Sequence, residues 1–212
     1  VAPPVVLISG MMAEPEIWAN WATSLARDGY RVFVINTPSW GFASVEEDLA
    51  VLRQAIDGVR ALTGAAQVQL VGHSKGGIVA LEAARRAPRE IAAIVTISTP
   101  HRGVGPAALG WIARAARLGP LRIPVLLREM SSGSPWVGKP LPVGVPVTSI
   151  YASYTDGLVT SASARLGNGR DIALRGDPRR LAHWATNVSN VQAYEAARAV
   201  LLATSPEERR YS

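Results

Sequence analysis

Short apolar runs rich in β-branched residues alternate with longer helix-periodic stretches along almost the whole chain. Val5-Val-Leu-Ile-Ser9, bounded by Pro4 and Gly10, reads as a buried strand, as do Arg31–Asn36, Gln67–Gly72, Ile91–Ser98 and Val147–Ala152, with a weaker sixth at Asp171–Leu174. Between them, Glu16–Asp28 has helical spacing at Ile17, Trp21 and Leu25, with Gly29 where a C-terminal cap belongs. Ser44 and Glu47 form a capping box that opens a helix to about Leu62, with Leu49, Leu52, Ile56 and Val59 on one face. Lys75–Ala87 is a further helix, stopped by Pro88, and Val191–Ala203 closes the pattern. A strand apolar along its whole length is covered on both faces, and a helix between strands returns the chain so that neighbours run parallel. The expectation is an α/β protein of about six mostly parallel strands flanked by helices. With no internal repeat or interdomain linker, residues 1–212 read as one domain.

Residues 102–144 break the rhythm. The stretch is rich in glycine and proline, yet holds the apolar helical patch Ala107–Leu118 and the run Ile123–Met130. It is too long for an ordinary connection. It reads as a small cap or lid between the fourth and fifth strands, the alternative being a packed excursion with no gating role.

Composition removes several classes of function. There is no cysteine, which excludes thiol catalysis, thiolate metal sites and disulfides together. No apolar run reaches the roughly 18 residues that span a bilayer, so the chain reads as soluble or peripheral. Its net charge of +6 is spread over dispersed basic residues, paired only at sites such as Arg85-Arg86, Arg179-Arg180 and Arg209-Arg210. That dispersal lacks the clustered footprint of a nucleic-acid binder, and none is expected as a partner. Val1-Ala-Pro-Pro does not resemble a signal peptide. The compartment stays open, with secretion after removal of a leader favoured over the cytoplasm.

The chemistry concentrates at Gly72-His73-Ser74-Lys75-Gly76, a G-x-S-x-G motif that follows an expected strand and opens an expected helix. The flanking glycines let strand and helix pass closely around a strained turn. The serine hydroxyl is then exposed at a helix N-terminus, where the backbone dipole favours developing negative charge. A serine needs a base to take its proton, and the chain has three histidines. His73 is expected to point away from its neighbour. Chain order in such enzymes runs serine, acid, histidine, which selects His183 over His101. His101 reads as a structural residue near the pocket mouth. By the same order Asp156, just past the fifth strand, is the expected acid, with Asp177 as competitor and more naturally a turn residue before Pro178. The oxyanion hole should take one backbone N–H from Lys75 and another from the loop Gly10-Met11-Met12, with Met11 the expected donor. The Lys75 side chain is expected to be a solvated surface charge.

These motifs resemble the bacterial lipase branch of the α/β-hydrolases, over nearly the whole chain from Val5 to Leu202. Leu7-Ile-Ser-Gly10 is similar to the strand and oxyanion loop usually written V-H-G in that family. Thr99-Pro-His-Arg-Gly-Val104 is similar to its T-P-H-x-G-T segment, and Met130-Ser-Ser-Gly-Ser-Pro135 to an M-x-x-G-S stretch. Ser149-Ile-Tyr-Ala-Ser153, with Asp156 and Val159, resembles the segment that carries the acid. The chain begins at what the family counts as its third strand, as in the minimal lipases. Departures are Ser9 in place of histidine, Lys75 after the nucleophile, and Ala182-His183-Trp184-Ala185-Thr186 around the base. The resemblance implies a minimal α/β-hydrolase with Ser74, Asp156 and His183 as triad and Met11 and Lys75 as oxyanion donors. It implies hydrolysis of carboxylic esters without a metal or organic cofactor. The expected partners are an ester or lipid substrate and, transiently, a lipid interface. A thioesterase or amidase would use the same triad, and an idle hydrolase-fold binding protein is the rival from outside catalysis.

Overall fold

A computed structural model describes residues 2–106, 108, 110, 123–177, 179–183 and 190–203. Six parallel strands form one sheet: β1 (Val5–Ile8), β2 (Val32–Ile35), β3 (Val68–His73), β4 (Ile91–Ile97), β5 (Val147–Ala152) and β6 (Arg170–Leu174). Their order is β2-β1-β3-β4-β5-β6, so the chain starts near one edge, steps outward once, then winds across to the other. Among the described residues the helices are α1 (Ala19–Arg27), α2 (Val45–Thr63), α3 (Lys75–Arg86), α4 (Ile123–Met130), α5 (Ser161–Ala164) and α6 (Val191–Ala203).

The alternation of side chains along a strand divides the core in two. Val6 and Ile8 of β1 face the cluster that buries Leu49, Leu52, Ile56 and Val59 of α2 and Ile78 and Val79 of α3. Val5 and Leu7 face the other side, with Trp18, Trp21 and Leu25 and with Ala193, Ala197, Val200 and Leu201 of α6. Each fully buried Leu, Ile or Val contributes about 1.5–3 kcal/mol. The three-layer sandwich follows directly from strands that are apolar on both faces.

The caps set the boundaries. Ser44 Oγ accepts from Glu47 N and Glu47 Oε2 accepts from Ser44 N, the reciprocal pair of a capping box, while Gly64 ends α2 in the left-handed region. One helix differs from expectation. Residues Pro15–Trp18 form a 3₁₀ turn, and the α-helix begins only at Ala19. The Ala19 N–H bonds to Glu16 O, three residues back, in the tighter geometry common at helix starts.

Part of the 102–144 stretch belongs to the core. Met130 and Val104 are buried with the α2 and α3 residues, and Val104 N donates to Met130 O at 2.8 Å. The apolar patch expected at Ala107–Leu118 lies, apart from Ala108 and Gly110, outside the described residues.

Candidate active site

Ser74 stands between β3 and α3 with φ 55° and ψ −124°, a strained conformation for a residue with a side chain. The strain persists because its surroundings leave the turn no other path. A Cβ at Gly72 would sit 2.6 Å from the Gly76 carbonyl, and one at Gly76 would sit 2.6 Å from the Ile8 and Ser9 carbonyls. Helix, β3 and β1 therefore pass at backbone distance, which only glycine permits. The Ser74 N–H continues the sheet ladder by donating to Ile97 O at 2.8 Å.

His183, from the segment between β6 and α6, brings Nε2 to 2.9 Å from Ser74 Oγ. Its Nδ1 lies 2.7 Å from Asp156 Oδ2. Asp156 comes from the tight turn after β5, where its other oxygen accepts from Leu158 N at 3.0 Å and Val159 N at 2.6 Å. Burial pushes the Asp156 carboxyl up. The His183 hydrogen bond and charge, with the two backbone donors, outweigh it and hold the group below its usual value. An ionised carboxylate only accepts, so Nδ1 carries the hydrogen and Nε2 is left to accept from the serine hydroxyl. Serine, imidazole and carboxylate thus form one directed chain of hydrogen bonds, all buried. The arrangement can deprotonate Ser74 as it attacks and hold the resulting imidazolium.

The ring of His73 packs 4.8 Å from that of His183, and its Nε2 bonds to the His183 backbone carbonyl at 2.8 Å, a link to the site that the sequence does not announce. Burial, reinforced by the His183 charge, lowers its pKa to about 3. The neutral ring then carries its hydrogen on Nε2, since a carbonyl can only accept. The His183 N–H in turn donates to Asp156 O at 2.9 Å. The backbone of the base is therefore fixed from both sides.

Lys75 departs from expectation. Its side chain, expected in solvent, is 1% exposed and ion-paired at 2.7 Å with Asp48 of α2, itself 2% exposed. The reason is the approach of α2 to α3, which puts the first residue of α3 under the segment leading into α2. Nζ also donates to Gly41 O at 3.1 Å and to Ala43 O. One sequence signal pointed here. Asp48 lies on the apolar stripe of α2, between Val45 and Leu52, where a charge needs a buried partner.

Met11 lies in the turn after β1 and is buried. Gly10 before it touches the nucleophile, since a Cβ there would be 2.7 Å from Ser74 Cβ. Ser9, at the departure from the histidine of the resemblance, accepts from Trp18 Nε1 at 3.1 Å. His101 is held by Thr96 Oγ1 at 3.0 Å and borders a cavity of about 390 Å³ that no triad residue lines. Asp177 accepts from Arg179 N at 2.9 Å, as a turn residue does. Trp184 lies outside the described residues.

A serine on a strand-to-helix elbow, hydrogen-bonded to a histidine and through it to an aspartate across a parallel sheet, is the arrangement of the α/β-hydrolase class. The family model of the alpha/beta hydrolase fold matches residues 3–119, and the chain belongs to that family. A triacylglycerol lipase of Pseudarthrobacter phenanthrenivorans is 34% identical over 113 residues, 47% of this chain and 34% of that one. One of Vibrio cholerae is 29% identical over 166 residues, 73% of this chain and 51% of its own length. The chain thus spans 30–51% of the length of the curated relatives it matches. Among solved structures, the mature lipase of Bacillus licheniformis superposes with a TM-score of 0.73 at 17% identity, over 94% of this chain and 92% of that one, a likeness of fold.

Proposed function

We propose that this chain is a serine ester hydrolase of carboxylesterase or triacylglycerol lipase type, working through an acyl-enzyme on Ser74. The observation that carries the reading is the directed chain from Ser74 Oγ through His183 to Asp156, at 2.9 and 2.7 Å. The names of the relatives, triacylglycerol lipases, support the substrate class.

In this mechanism Ser74 attacks the ester carbonyl as His183 takes its proton and Asp156 stabilises the imidazolium. The alkoxide leaves with the proton from His183, and water repeats the sequence to release the acid. The tetrahedral oxyanion rests on the backbone N–H groups of Lys75 and Met11. As the first residue of α3, Lys75 has no helical acceptor for its amide. A donor of this kind is worth about 2.7–4 kcal/mol in the transition state.

Residues 102–144 are proposed as a small cap or lid between β4 and β5.

The test is a series of p-nitrophenyl esters from acetate to palmitate with wild type and Ser74→Ala. The expected result is ester hydrolysis that falls at least about 10³-fold in the variant, with the chain-length profile separating esterase from lipase. Wild type inactive on every ester, or a variant as active as wild type, overturns the reading.

A further inference from the structure

Lys75 touches the oxyanion site twice. Its backbone N–H is one of the two proposed donors. Its side chain runs in the opposite sense, beneath the segment between β2 and α2, and spends its three hydrogens on Asp48 Oδ2, Gly41 O and Ala43 O. Gly41, with φ +74°, presses directly on the loop that carries the other donor. A Cβ there would lie 2.6 Å from Gly10 O and 2.9 Å from Met11 Cα. Gly10 in turn lies against Ser74. The contacts close into a ring, from Ser74 to the Lys75 backbone, along its side chain to Gly41, across to Gly10 and Met11, and back to Ser74.

We propose that the Lys75 side chain is a positioning residue for the oxyanion hole, fixing the Met11 donor relative to the Lys75 donor through the Gly41 carbonyl. The inference rests on reading Ser74 as the nucleophile. An ordinary stabilising role explains the ring poorly. Buried ion pairs are often matched or bettered by apolar residues of the same volume, so stability alone gives no reason to bury a lysine here. What an ammonium supplies and an apolar side chain does not is directed donation to two carbonyls of one loop. Asp48 balances the charge, and its second oxygen has no hydrogen-bond partner among the described residues. Its part is therefore to hold the ammonium, and the ammonium does the positioning.

The experiment compares wild type with the double variant Lys75→Met/Asp48→Asn, which removes both charges together and leaves no unpaired buried ion. Gly41→Ala is the second variant, because it leaves the ion pair intact and pushes on Gly10 and Met11 directly. Each is assayed for kcat and KM on a p-nitrophenyl ester. Each is also assayed for inhibition by an alkyl boronic acid, which forms a tetrahedral adduct on serine, and by the product carboxylate, which does not. Removing an oxyanion donor outright costs about 10²–10³ in kcat, so displacing one is expected to cost about 10-fold or more. The boronate should weaken in parallel while KM and carboxylate inhibition stay within about twofold of wild type. The proposal is overturned if the double variant keeps wild-type kcat and boronate affinity, or if kcat falls with no matching loss of boronate affinity. Should the double variant not fold, Gly41→Ala decides by the same two criteria. Ser74→Ala run alongside separates the two ideas, since full activity there removes the nucleophile itself and not merely the positioning role.

Discussion

The Nε2–H of His73 donates to the backbone carbonyl of His183 at 2.8 Å, so the residue before the proposed nucleophile holds the proposed base. The bond crosses from the end of β3 to the segment before α6. Beside the Ser74 Oγ–His183 Nε2 contact, it is a second tie between the half of the site built on the elbow and the half built beyond β6. Its presence makes His73 part of the placement of the base, although it touches no reacting atom.

His73→Ala removes the bond to the His183 carbonyl and opens a space beside the His183 ring. Stability is expected to fall by about 1–3 kcal/mol from the lost bond, read as a shift in the urea midpoint. Displacing the base should lower kcat by roughly 10- to 100-fold, as misplacement on the ångström scale does. Unchanged kcat in a folded variant would remove His73 from the account.

Asp156→Asn keeps the shape of the acid but can donate to Nδ1, which selects the wrong tautomer of His183. A drop in kcat of about 10⁴ is expected, the size seen when a triad aspartate is changed this way. KM should move little. Steady-state kinetics on a single ester checks both.

Stability should depend on pH through His73. Its folded pKa, about 3, lies below the ordinary 6.5 because burial disfavours the charged ring. The unfolded chain therefore binds a proton that the folded chain refuses, and the stability contributed above pH 6.5 is lost progressively as pH falls toward 3. The slope for one such histidine approaches about 1.4 kcal/mol per pH unit. His101 is lowered to about 3 for the same reason, with the Arg85 and Arg102 charges adding to it, and so acts in the same window. Asp156, held below 3.8, adds its own loss only at more acid pH. Urea midpoints at pH 7, 6 and 5 should decline steadily, and His101→Asn should flatten the decline. A midpoint constant over that range contradicts the neutral buried histidines.

Gly76→Ala places a methyl group 2.6 Å from the carbonyls of Ile8, the last residue of β1, and Ser9 after it. Strand and helix cannot separate without breaking the elbow, so the variant is expected to lose soluble expression or all activity. A folded, active Gly76→Ala would show that the close approach is not needed.

Much of this was legible in the sequence because it is local. The strand Val147–Ala152 and the helix Val191–Ala203 follow from unbroken apolar runs and their flanks, and the structure has the same bounds. Ser44 and Glu47 announce the start of α2 within four residues. The glycines around Ser74 announce an elbow because their spacing is itself the steric requirement. What escaped is what depends on partners far along the chain. Lys75 looks like a surface charge until α2 brings Asp48, far back along the chain, to meet it. His73 looks idle until the segment after β6 lays a carbonyl against its ring. In both cases the residue type is polar and the local pattern is correct, but burial is decided by tertiary packing. The 3₁₀ start before α1 was missed for a smaller reason, since periodicity does not distinguish a tight first turn from an α-helical one.

If Ser74 is an activated nucleophile, it should react covalently with an electrophilic phosphonate. The protein is treated with a fluorophosphonate, and the intact mass and labelled peptide are measured for wild type, His183→Ala and Ser74→Ala. One adduct is expected on wild type, located on Ser74, formed far more slowly without His183 and absent in Ser74→Ala. Wild type that stays unlabelled, or a label that persists in Ser74→Ala, would contradict it.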